Sequence, residues 1–505
     1  METLDYLLYG FRVILHPMPL FFCFIGVLIG TLVGVLPGLG PVAAISLLLP
    51  FTFHVSPLVS VIMLAGIYYG AMYGGSITAI LVNIPGEAAS VVTCLDGYQM
   101  ALKGRAGAAL GISAIGSFIA GTAGLIGLSF LAPPLAATAL KFGPPEYFAI
   151  MILGLTILVF LAGGSMIKAL MMASLGLIIG NVGMDIITAQ PRFTFGTTIL
   201  LDGVGLVPLV MGLFGISEVF LNVEQSLKTQ EILKTDLKGL LPNLQEWKES
   251  IFPIARGSVL GFFLGILPGG GAVISSFVSY GIERKLSRHP EEFGKGAIAG
   301  VAGPESANNS ATAGAFIPLL TLGIPSNAVT AILLGALMMY DTPAGPRMVS
   351  QHPDIFWGII CSMYIGNIML LVLNLPLIRL WVKILEIPYP ILFPLIILFC
   401  LIGVYSLDSR TSEIFLMLIF GVVGYMMKKF KFDGAPLILA VVLGPQMDKS
   451  LRQSLLMSGG SPQIFFDSPI CLGVLAVVAL LLFVLPFLPR VTRFRKSLGE
   501  ESEQL

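Results

Sequence analysis

The chain has 505 residues, of which 56% are hydrophobic and 11% are charged, and its 28 basic residues balance its 28 acidic ones. A soluble domain carries about 25% charged residues, and the mean hydropathy of this chain is +0.93, so an ordinary soluble protein is excluded. The balanced charge offers no basic face for nucleic acid. Long apolar runs without alternation predict an all-α polytopic membrane protein.

The N-terminal stretch METLDYLLYGFRVILHP has no basic region at its start and no small-residue cleavage site. We expect it to be retained rather than cleaved as a signal peptide. The apolar segment that follows leads into the first unusual motif of the chain.

That motif, GVLPGLGPVAA (34–44), returns as GILPGGGAVIS (265–275), with an offset of 231 residues between the two prolines. We call these the PG motifs. Glycine costs a helix about 1 kcal/mol relative to alanine, and proline about 3 kcal/mol, so both motifs break a membrane helix in the same way. About ten residues on either arm of Pro268 are too few to cross a bilayer, which predicts re-entrant hairpins.

Broken backbone at membrane depth lines a protein cavity, and glycine lets a ligand approach the backbone closely. The alternative role for such glycines is helix packing, which is our interpretation for Gly30–Gly34 and Gly111–Gly116. The glycines that we predict to contact substrate are Gly38, Gly40, Gly269, Gly270 and Gly271.

A second pair of motifs indicates an internal duplication. YYGAMYGGSITAILVNIPGEAAS (68–90) matches NNSATAGAFIPLLTLGIPSNAVT (308–330) with an offset of 240 residues, and an Ile-Pro pair interrupts each. Duplicated halves are the usual architecture of secondary transporters. We divide the chain into membrane repeat 1 (1–223), a cytoplasmic linker (224–250), membrane repeat 2 (251–468), and a final transmembrane helix with a cytoplasmic tail (469–505).

Lysine and arginine placement predicts opposite orientations for the two repeats, because cytoplasmic loops collect these residues. Loops 283–296, 379–386, 428–433 and the C-terminal tail contain thirteen, whereas the opposite loops contain four. The first set and the linker are therefore placed inside, and the loop at His54 outside.

Repeat 1 then needs an odd number of crossings, so the prediction is two inverted-topology repeats with re-entrant hairpins and interrupted helices, in roughly 11–12 membrane segments. The five crossings are about 57–84, 106–131, 145–162, 166–180 and 199–221.

Polar side chains concentrate beside the Ile-Pro interruptions, where an unbonded amide is expensive. They either bond a neighbouring backbone or bind substrate and coupling ion. Glu87 and Glu305 are candidate proton carriers, or else first-turn acids at helix N-termini. The predicted substrate-binding residues are Asn83, Gly86, Asn308, Asn309, Ser310, Ser326 and Asn327, and the coupling-ion candidates are Thr78, Glu87, Glu305, Thr312 and Thr321.

Other chemistries find no support in the sequence. The four histidines and five cysteines have no metal-ligand or redox spacing. There is no GxSxG, P-loop or HExxH motif, so we expect no catalytic residues, no metal and no cofactor. Since nothing binds ATP, uphill transport would use an ion gradient. A polytopic membrane enzyme would need a catalytic constellation that we do not find, and a channel for small anions fits duplicated halves less well than alternating access does.

The long motifs at 68–118 and 300–337, with the PG motifs and the central linker, resemble the large membrane subunit of the tripartite tricarboxylate transporters, the TctA family. The resemblance covers nearly the whole chain. One departure is Ser326, where the family pattern leads us to expect glycine.

The resemblance implies a multi-pass permease of the bacterial inner membrane, surrounded by membrane lipid. It implies two protein partners, a periplasmic substrate-binding protein and a small membrane subunit. It also implies import of citrate-like tricarboxylates or other organic carboxylates, driven by Na⁺ or H⁺.

Overall fold

A computed structural model describes residues 3–36, 40–161, 165–185, 187–225, 240–269, 271–384 and 389–485. The described chain is helical apart from one two-stranded antiparallel ribbon, β1 (Gly183–Met184) with β2 (Pro191–Arg192), in which Gly183 pairs with Arg192. This agrees with the all-α prediction.

The described part of the first half contains helices α1 to α11. In chain order they are α1 (Thr3–Ile14), α2 (Pro17–Val35), α3 (Gly40–Thr52), α4 (Pro57–Val82), α5 (Val91–Thr93), α6 (Gln99–Leu102), α7 (Ala106–Ala139), α8 (Pro144–Leu161), α9 (Met166–Gly180), α10 (Leu206–Val210) and α11 (Ser217–Gln225). A 3₁₀ turn (Ala88–Ser90) precedes α5, and π-helical turns (Cys94–Tyr98 and Met211–Ile216) join α5 to α6 and α10 to α11.

The described part of the second half contains helices α12 to α23. They are α12 (Leu244–Ile266), α13 (Gly271–Leu286), α14 (Ala299–Leu322), α15 (Ala328–Met339), α16 (Met348–Gln351), α17 (Pro353–Asn374), α18 (Ile378–Ile384), α19 (Tyr389–Asp408), α20 (Thr411–Lys429), α21 (Ala435–Met457), α22 (Ile464–Asp467) and α23 (Pro469–Ala479). A 3₁₀ turn (Pro290–Glu292) lies between α13 and α14, and a π-helical turn (Leu480–Val484) follows α23.

Seven of the described helices are long and apolar enough to cross a membrane, namely α2, α4, α7, α8, α12, α17 and α20. The predicted crossings at 57–84 and 145–162 match α4 and α8, and the one at 106–131 matches α7, which continues to Ala139. The crossing at 166–180 matches α9, which has 15 residues and is not among the seven. The fifth, 199–221, begins too early, because the helix starts only at Leu206. The chain is thus a polytopic membrane protein, while the total of 11–12 segments stays a prediction.

The arms of the second hairpin are longer than predicted. α12 has 23 residues and α13 has 16, so the estimate of about ten residues on either arm of Pro268 is wrong. α12 begins inside the segment assigned to the linker, because Asn243 caps it and forms a capping box with Glu246. The charged residues of 244–250 are the first two turns of a helix.

The helices that lead into the two PG motifs, α2 and α12, pack in the same way in the two halves. α2 lies against α4 through Gly26, Gly30 and Gly34, and α12 lies against α14 through Gly257, Gly261 and Gly265. A Cβ atom on any of these six glycines would come closer than 3.0 Å to a carbonyl oxygen of the partner helix. Those oxygens belong to Met63, Ile67 and Ala71 in α4 and to Gly303, Ala307 and Ala311 in α14, again 240 positions apart.

The packing role expected for Gly30–Gly34 is therefore confirmed. Gly111 also packs closely, since its Cβ would meet the carbonyl oxygen of Leu240. Gly116 has more room, because the nearest atom to its Cβ would be the Oγ of Ser306 at 3.1 Å.

The two central helices, α4 and α14, run antiparallel to each other. The ring of Tyr68 lies 6.4 Å from that of Phe316, and Ser76 donates a hydrogen bond to Glu305 at 2.6 Å. Moving forward along α4 therefore means moving backward along α14. Helices that occupy equivalent places in the two halves thus meet in opposite directions.

Loops that the charge count places inside contact one another. Lys103 donates to the backbone carbonyl of Lys295 at 2.5 Å, and Arg105 pairs with Glu246 at 2.6 Å. One oxygen of Asp96 also accepts three backbone N–H groups of the loop that joins α13 to α14, at 2.7–2.9 Å.

Loops that the charge count places outside do the same. Arg192 pairs with Asp448 at 3.1 Å, and the hydroxyl of Tyr340 donates to the backbone carbonyl of Thr52 at 2.7 Å. Each of these contacts joins two chain segments assigned to one side, although Thr52 is the last residue of α3 and Asp448 lies within α21.

Candidate functional site

The first interruption, residues 83–87, lies at the end of α4, and we call it the first break. Asn83 adopts a left-handed conformation with φ of 60° and ends the helix. The chain then passes through Ile-Pro-Gly to Glu87, whose carboxylate accepts the N–H of Ala89 at 2.6 Å and forms a capping box with Ser90. The predicted interruption is present, and the backbone resumes as a new helix.

The second break, residues 323–327, has the same construction. Gly323, with φ of 68°, ends α14, and Ile-Pro-Ser leads to Asn327. Asn327 caps α15 through a capping box with Thr330. The left-handed residue, the Ile-Pro pair and the cap each lie 240 positions after their counterparts in the first break.

The two breaks contact each other's central helix. The amide Nδ2 of Asn308 in α14 donates to Oε1 of Glu87 at 3.4 Å. The amide Nδ2 of Asn327 donates to the hydroxyl of Tyr68 in α4 at 2.9 Å. Since Tyr68 and Asn308 are equivalent positions, as are Glu87 and Asn327, the two contacts are reciprocal, as across a two-fold axis.

Asn308 is the most exceptional of the predicted site residues. It is fully buried, and its Oδ1 has no hydrogen-bond partner in the structure. An unpaired buried acceptor costs about 1–3 kcal/mol, and such groups usually mark an ion, a water or a ligand. The structure thus leaves one amide oxygen free beside the Glu87 carboxylate.

Asn309 and Ser310 are bonded to protein groups and fit the packing interpretation. Asn309 donates to the hydroxyl of Ser117 at 2.7 Å and to the backbone carbonyl of Glu305 at 3.1 Å. Ser310 donates to the backbone carbonyl of Ser258 at 2.7 Å. Asn309 also lines a small cavity described below.

The three threonines proposed for the coupling ion bond the carbonyls of their own helices. Thr78 donates to Gly75 at 2.9 Å, Thr312 to Asn308 at 3.1 Å and Thr321 to Ile317 at 2.7 Å. Their hydroxyl hydrogens are therefore engaged, and their oxygens keep a lone pair for a cation. Asn83 is exposed, and its role in ending α4 accounts for its presence.

Gly86 and Ser326, which are equivalent in sequence, meet the same helix position in different ways. The N–H of Gly86 donates to the carbonyl of Gly75 at 3.4 Å, whereas the hydroxyl of Ser326 donates to the carbonyl of Ala315 at 3.2 Å. A Cβ at Gly86 would collide with the backbone of Gly34. Ser326, the departure from the family pattern, therefore fits the wider second break and would not fit the first.

The PG motifs begin the return arms of the two hairpins. Gly40 (φ +57°) and Gly271 (φ +41°) are the first residues of α3 and α13, and a Cβ on either would meet nothing within 4 Å. Gly269 differs, because its Cβ would lie 2.7 Å from Cα of Leu158, and its N–H donates to the carbonyl of Ser326 at 2.7 Å. The second PG motif thus touches the second break. Gly38 and Gly270 lie outside the described residues.

Glu305 is not a first-turn acid, so that alternative is wrong for this residue. It is the seventh residue of α14 and is 1% exposed. Its carboxylate accepts hydrogen bonds from Ser76, Thr93 and Ser113. Glu87 is not in a first turn either, because it is the N-cap of the 3₁₀ turn that precedes α5, and its second oxygen faces Asn308.

Sequence reasoning missed two tyrosines and one asparagine. Tyr68 lies between the breaks, and Tyr73, one turn later, donates to Oδ1 of Asn367 in α17 at 2.6 Å. A small cavity, which we call the Asn367 cavity, lies beside them; among its lining residues are Tyr69, Tyr73, Asn309, Thr312 and Asn367. A lone asparagine in an apolar span was the available signal.

Chemically, the site offers carboxylate and amide oxygens together with helix N-termini. No ion pair is recorded for Glu87 or Glu305 among the described residues, and those residues contain no group of three or more His, Cys, Asp or Glu that would hold a metal ion. Oxygen atoms of this kind suit a coordinated monovalent cation, and free N–H groups at helix starts suit an anion.

Comparisons with known proteins give one family match and two similar proteins. Residues 20–439 match the model of the family described as "Tripartite tricarboxylate transporter TctA family". The chain is 49% identical over 503 residues, 100% of both chains, to an uncharacterized 52.8 kDa protein in the TAR-I ttuC' 3' region of Agrobacterium vitis. It is 45% identical over 243 residues, 48% of this chain and 100% of the relative, to an uncharacterized protein in the TAR-II ttuC' 3' region of the same organism. No solved structure matches.

Proposed function

The chain belongs to the tripartite tricarboxylate transporter TctA family, and from this premise we propose that it is the large permease subunit of a binding-protein-dependent secondary transporter. It imports tricarboxylates or related organic carboxylates across the bacterial inner membrane. A gradient of Na⁺ or H⁺ drives the import. The periplasmic binding protein delivers the substrate, and a small membrane subunit completes the complex.

The observation that carries this proposal is the reciprocal contact of each break with the central helix of the other half. Four polar side chains meet there, of which Tyr68, Glu87 and Asn308 are buried and Asn327 is partly buried, and the Oδ1 of Asn308 is left without a partner. Buried polar groups of this cost, placed at interrupted helices, are typical of a midplane transport site.

The substrate carboxylates bind, in this proposal, at the start of the return arms. There is open space where a Cβ on Gly40 or Gly271 would stand, and the free N–H groups of the first helical turn, which Pro41 does not supply, carry partial positive charge. At the two breaks, the capping side chains of Glu87 and Asn327 already accept hydrogen bonds from N–H groups at the start of the next helix. The starts of α3 and α13 are therefore the better anion sites. Gly38, Gly269 and Gly270 complete the two motifs.

The coupling cation binds between Glu87 and Asn308. The Glu87 carboxylate supplies the negative charge, and the amide oxygen of Asn308 supplies a neutral ligand beside it. Because the substrate is an anion and Glu87 is buried with no recorded ion pair, a co-transported cation lowers the charge that must cross the low-dielectric interior.

Inverted repeats give this site its alternating access. The support is threefold: the repeated glycine contacts, the antiparallel run of α4 and α14, and the loop contacts that follow the charge count. Rocking of one repeat against the other exposes the breaks to either side in turn. The transported ion is the one cofactor that this mechanism needs, and no catalytic residue is involved.

Reconstituted uptake tests the proposal. The carboxylate that raises the melting temperature of the cognate binding protein is first identified. The permease and small subunit are then placed in liposomes, and labelled uptake is measured with loaded binding protein and with an imposed Na⁺ or pH gradient. Accumulation that requires both the binding protein and a gradient is expected. Absence of uptake, or uptake equal in liposomes without permease, would contradict the proposal.

The orientation is tested separately with cysteines introduced at Ser56 and Glu291, which are both exposed and belong to loops of opposite predicted sides. The five native cysteines are buried, so their background labelling is low. An impermeant thiol reagent should label Ser56→Cys from the periplasm and Glu291→Cys only after the membrane is opened. Labelling of both from one side would sink the inverted-repeat proposal.

A further inference from the structure

A second buried carboxylate lies one turn before Asn308, on α14. Glu305 receives hydroxyl hydrogen bonds from three other helices: from Ser76 of α4 at 2.6 Å, from Thr93 of α5, and from Ser113 of α7. All three hydroxyls are themselves buried. The cluster belongs to neither break and is not needed for the contact between Glu87 and Asn308.

The ionisable groups around Glu305 offer it no positive charge. They are Tyr73 on α4, and Glu87 and Cys94 on the helical segment after the first break. From α13, Glu283 lies against Gly303 and pairs with Arg256 of α12, and α7 contributes hydroxyls. None of the salt bridges recorded for the described residues involves Glu305.

Two opposing effects therefore act on this carboxyl group. Burial without a counter-charge favours the neutral form, whereas three hydroxyl donors favour the ionised form. Because each form of the group is stabilised by one of these effects, the group is able to take up and release a proton. A metal cation would need several oxygens turned toward it, but the hydroxyl hydrogens already point at the carboxylate.

A small cavity adjoins the cluster, and we call it the Asn374 cavity. Ser76, Ser113, Tyr73 and Asn374 are among its lining residues. Asn374 is 3% exposed, its Nδ2 donates to the carbonyl of Leu370, and its Oδ1 has no hydrogen-bond partner. Two of the hydroxyls that bond Glu305 thus face a cavity that also holds an unpaired polar oxygen, which is where a water belongs.

The position of the cavity indicates the direction of proton movement. Asn374 is the last residue of α17, and Ile378 of α18, which also lines the cavity, stands beside the loop 379–386 that the charge count places inside. Tyr73 lines both this cavity and the Asn367 cavity. Polar groups therefore continue from the level of the breaks toward the cytoplasmic side.

We propose that Glu305 is a proton-carrying site, separate from the cation site at Glu87 and Asn308, and that it exchanges its proton with the cytoplasm through the Asn374 cavity. The inference rests on the proposed function. The proton binds a carboxylate oxygen of Glu305 when substrate is loaded from outside, and it passes to water in the Asn374 cavity after the substrate leaves. One proton is thereby imported per turnover, in addition to any cation bound at Glu87.

The test separates gradient-driven uptake from exchange in the reconstituted complex. Wild-type uptake at constant Na⁺ should rise when the outside is made acidic. Glu305→Gln keeps the size of the side chain and one acceptor oxygen, replaces the other oxygen by an amide donor, and carries no titratable proton. Its uptake driven by the pH gradient should fall at least tenfold, while exchange of labelled for unlabelled carboxylate across the membrane stays within twofold of wild type. Asn374→Leu should slow the pH-driven uptake and spare exchange.

Two controls match these variants. Glu246→Gln removes a carboxylate near the same predicted face but keeps the capping box of α12. Asn181→Leu removes an amide that, like Asn374, donates to the carbonyl four residues earlier. Both should retain pH-driven uptake.

The outcomes are distinguishable. Wild-type uptake that ignores the pH gradient overturns the proton site, as does pH-driven uptake retained in Glu305→Gln. Loss of exchange together with uptake in Glu305→Gln overturns it as well, because the residue then serves the substrate site or the fold. Failure of the wild-type complex to move any carboxylate would instead be a failure of the proposed function.

Discussion

The first and second breaks follow the same backbone path with different side chains. Each ends a helix with a left-handed residue, passes through Ile-Pro and restarts at a capping box. The first break is tight, since Gly86 lies against backbone on two sides, whereas the second has room for Ser326. The caps also differ, with a carboxylate at Glu87 and an amide at Asn327. Both breaks therefore use the same kind of turn, but only the first has an ionisable side chain at its cap.

Exchanging the residues at the tight position should produce the largest effect. Gly86→Ser places a Cβ against the carbonyl of Gly34 and against Gly75, and backbone cannot yield as a side-chain end does. We expect little or no folded protein in the membrane, measured as monodisperse permease after extraction. The reverse change, Ser326→Gly, loses one hydrogen bond of about 1 kcal/mol and should leave abundance near normal. Equal abundance of the two variants would show that the breaks are equally wide.

Removing the unpaired amide should come next. Asn308→Ala is expected to lower uptake per inserted molecule at least tenfold with abundance nearly normal, because its Oδ1 stabilises nothing within the described protein. Its counterpart, Tyr68→Phe, removes the partner of Asn327 and should reduce uptake less, since no charge lies there.

Asn309→Ala provides the contrast within the same helix. Asn309 bonds Ser117 and the backbone of α14, so its loss should lower abundance more than specific uptake. If Asn308→Ala transports at the wild-type rate, the two asparagines have the same packing role and the cation site lies elsewhere.

The two PG motifs allow a third comparison, with a moderate effect. Gly40→Ala and Gly271→Ala add a methyl group to open space at a left-handed position, at a strain of about 1–2 kcal/mol. If carboxylate binds there, both variants should raise the substrate concentration for half-maximal uptake severalfold. Gly459→Ala has a similar φ of +63° and open space in a distant loop, so it carries the strain alone and should not change this concentration.

A second control addresses packing. Gly176 lies so close to the carbonyl of Leu437 that Gly176→Val should lower the abundance of the permease. Its specific uptake per remaining molecule should be unchanged. A shift confined to one of the two PG-motif variants would mean that a single hairpin holds the carboxylate.

The smallest effect is expected at the caps. Asn327→Ala removes an N-cap, a change that costs about 1 kcal/mol, and it frees the hydroxyl of Tyr68. Asn243→Ala removes the equivalent capping box at the start of α12, away from the breaks. Thermal unfolding should show similar losses of stability for both, and uptake should fall only for Asn327→Ala. Equal uptake in the two would make Asn327 a cap and nothing more.

The sequence predicted well those features, such as turns and caps, that depend on residues adjacent in the chain. Two offsets, 231 and 240, located equivalent positions such as Gly40 with Gly271 and Glu87 with Asn327, because turns and caps depend on a few adjacent residues. The roles of Glu305 and Asn367 could not be predicted from adjacent residues. Their partners lie on helices brought together only by packing.

The length of α12 shows the opposite error. A charged stretch was assigned to the linker by composition, but Asn243 and Glu246 are a capping box that starts a helix there. The spacing of Asn and Glu was the usable signal. The polar composition of that segment indicated that it is exposed to solvent, but it did not indicate whether its backbone is helical.

The reciprocal contact of each break with the opposite central helix has a consequence for symmetry. Two copies of one polypeptide that met in this antiparallel manner would form a closed dimer with the same residues on both sides of the axis. Such a pair treats both ends of a bound molecule alike, and every mutation changes it twice. Fusion of the two copies into one gene removes that constraint. The carboxylate–amide contact of Glu87 with Asn308 and the amide–phenol contact of Asn327 with Tyr68 lie at equivalent positions but differ in chemistry, and a site with such polarity can tell the head of an asymmetric molecule from its tail.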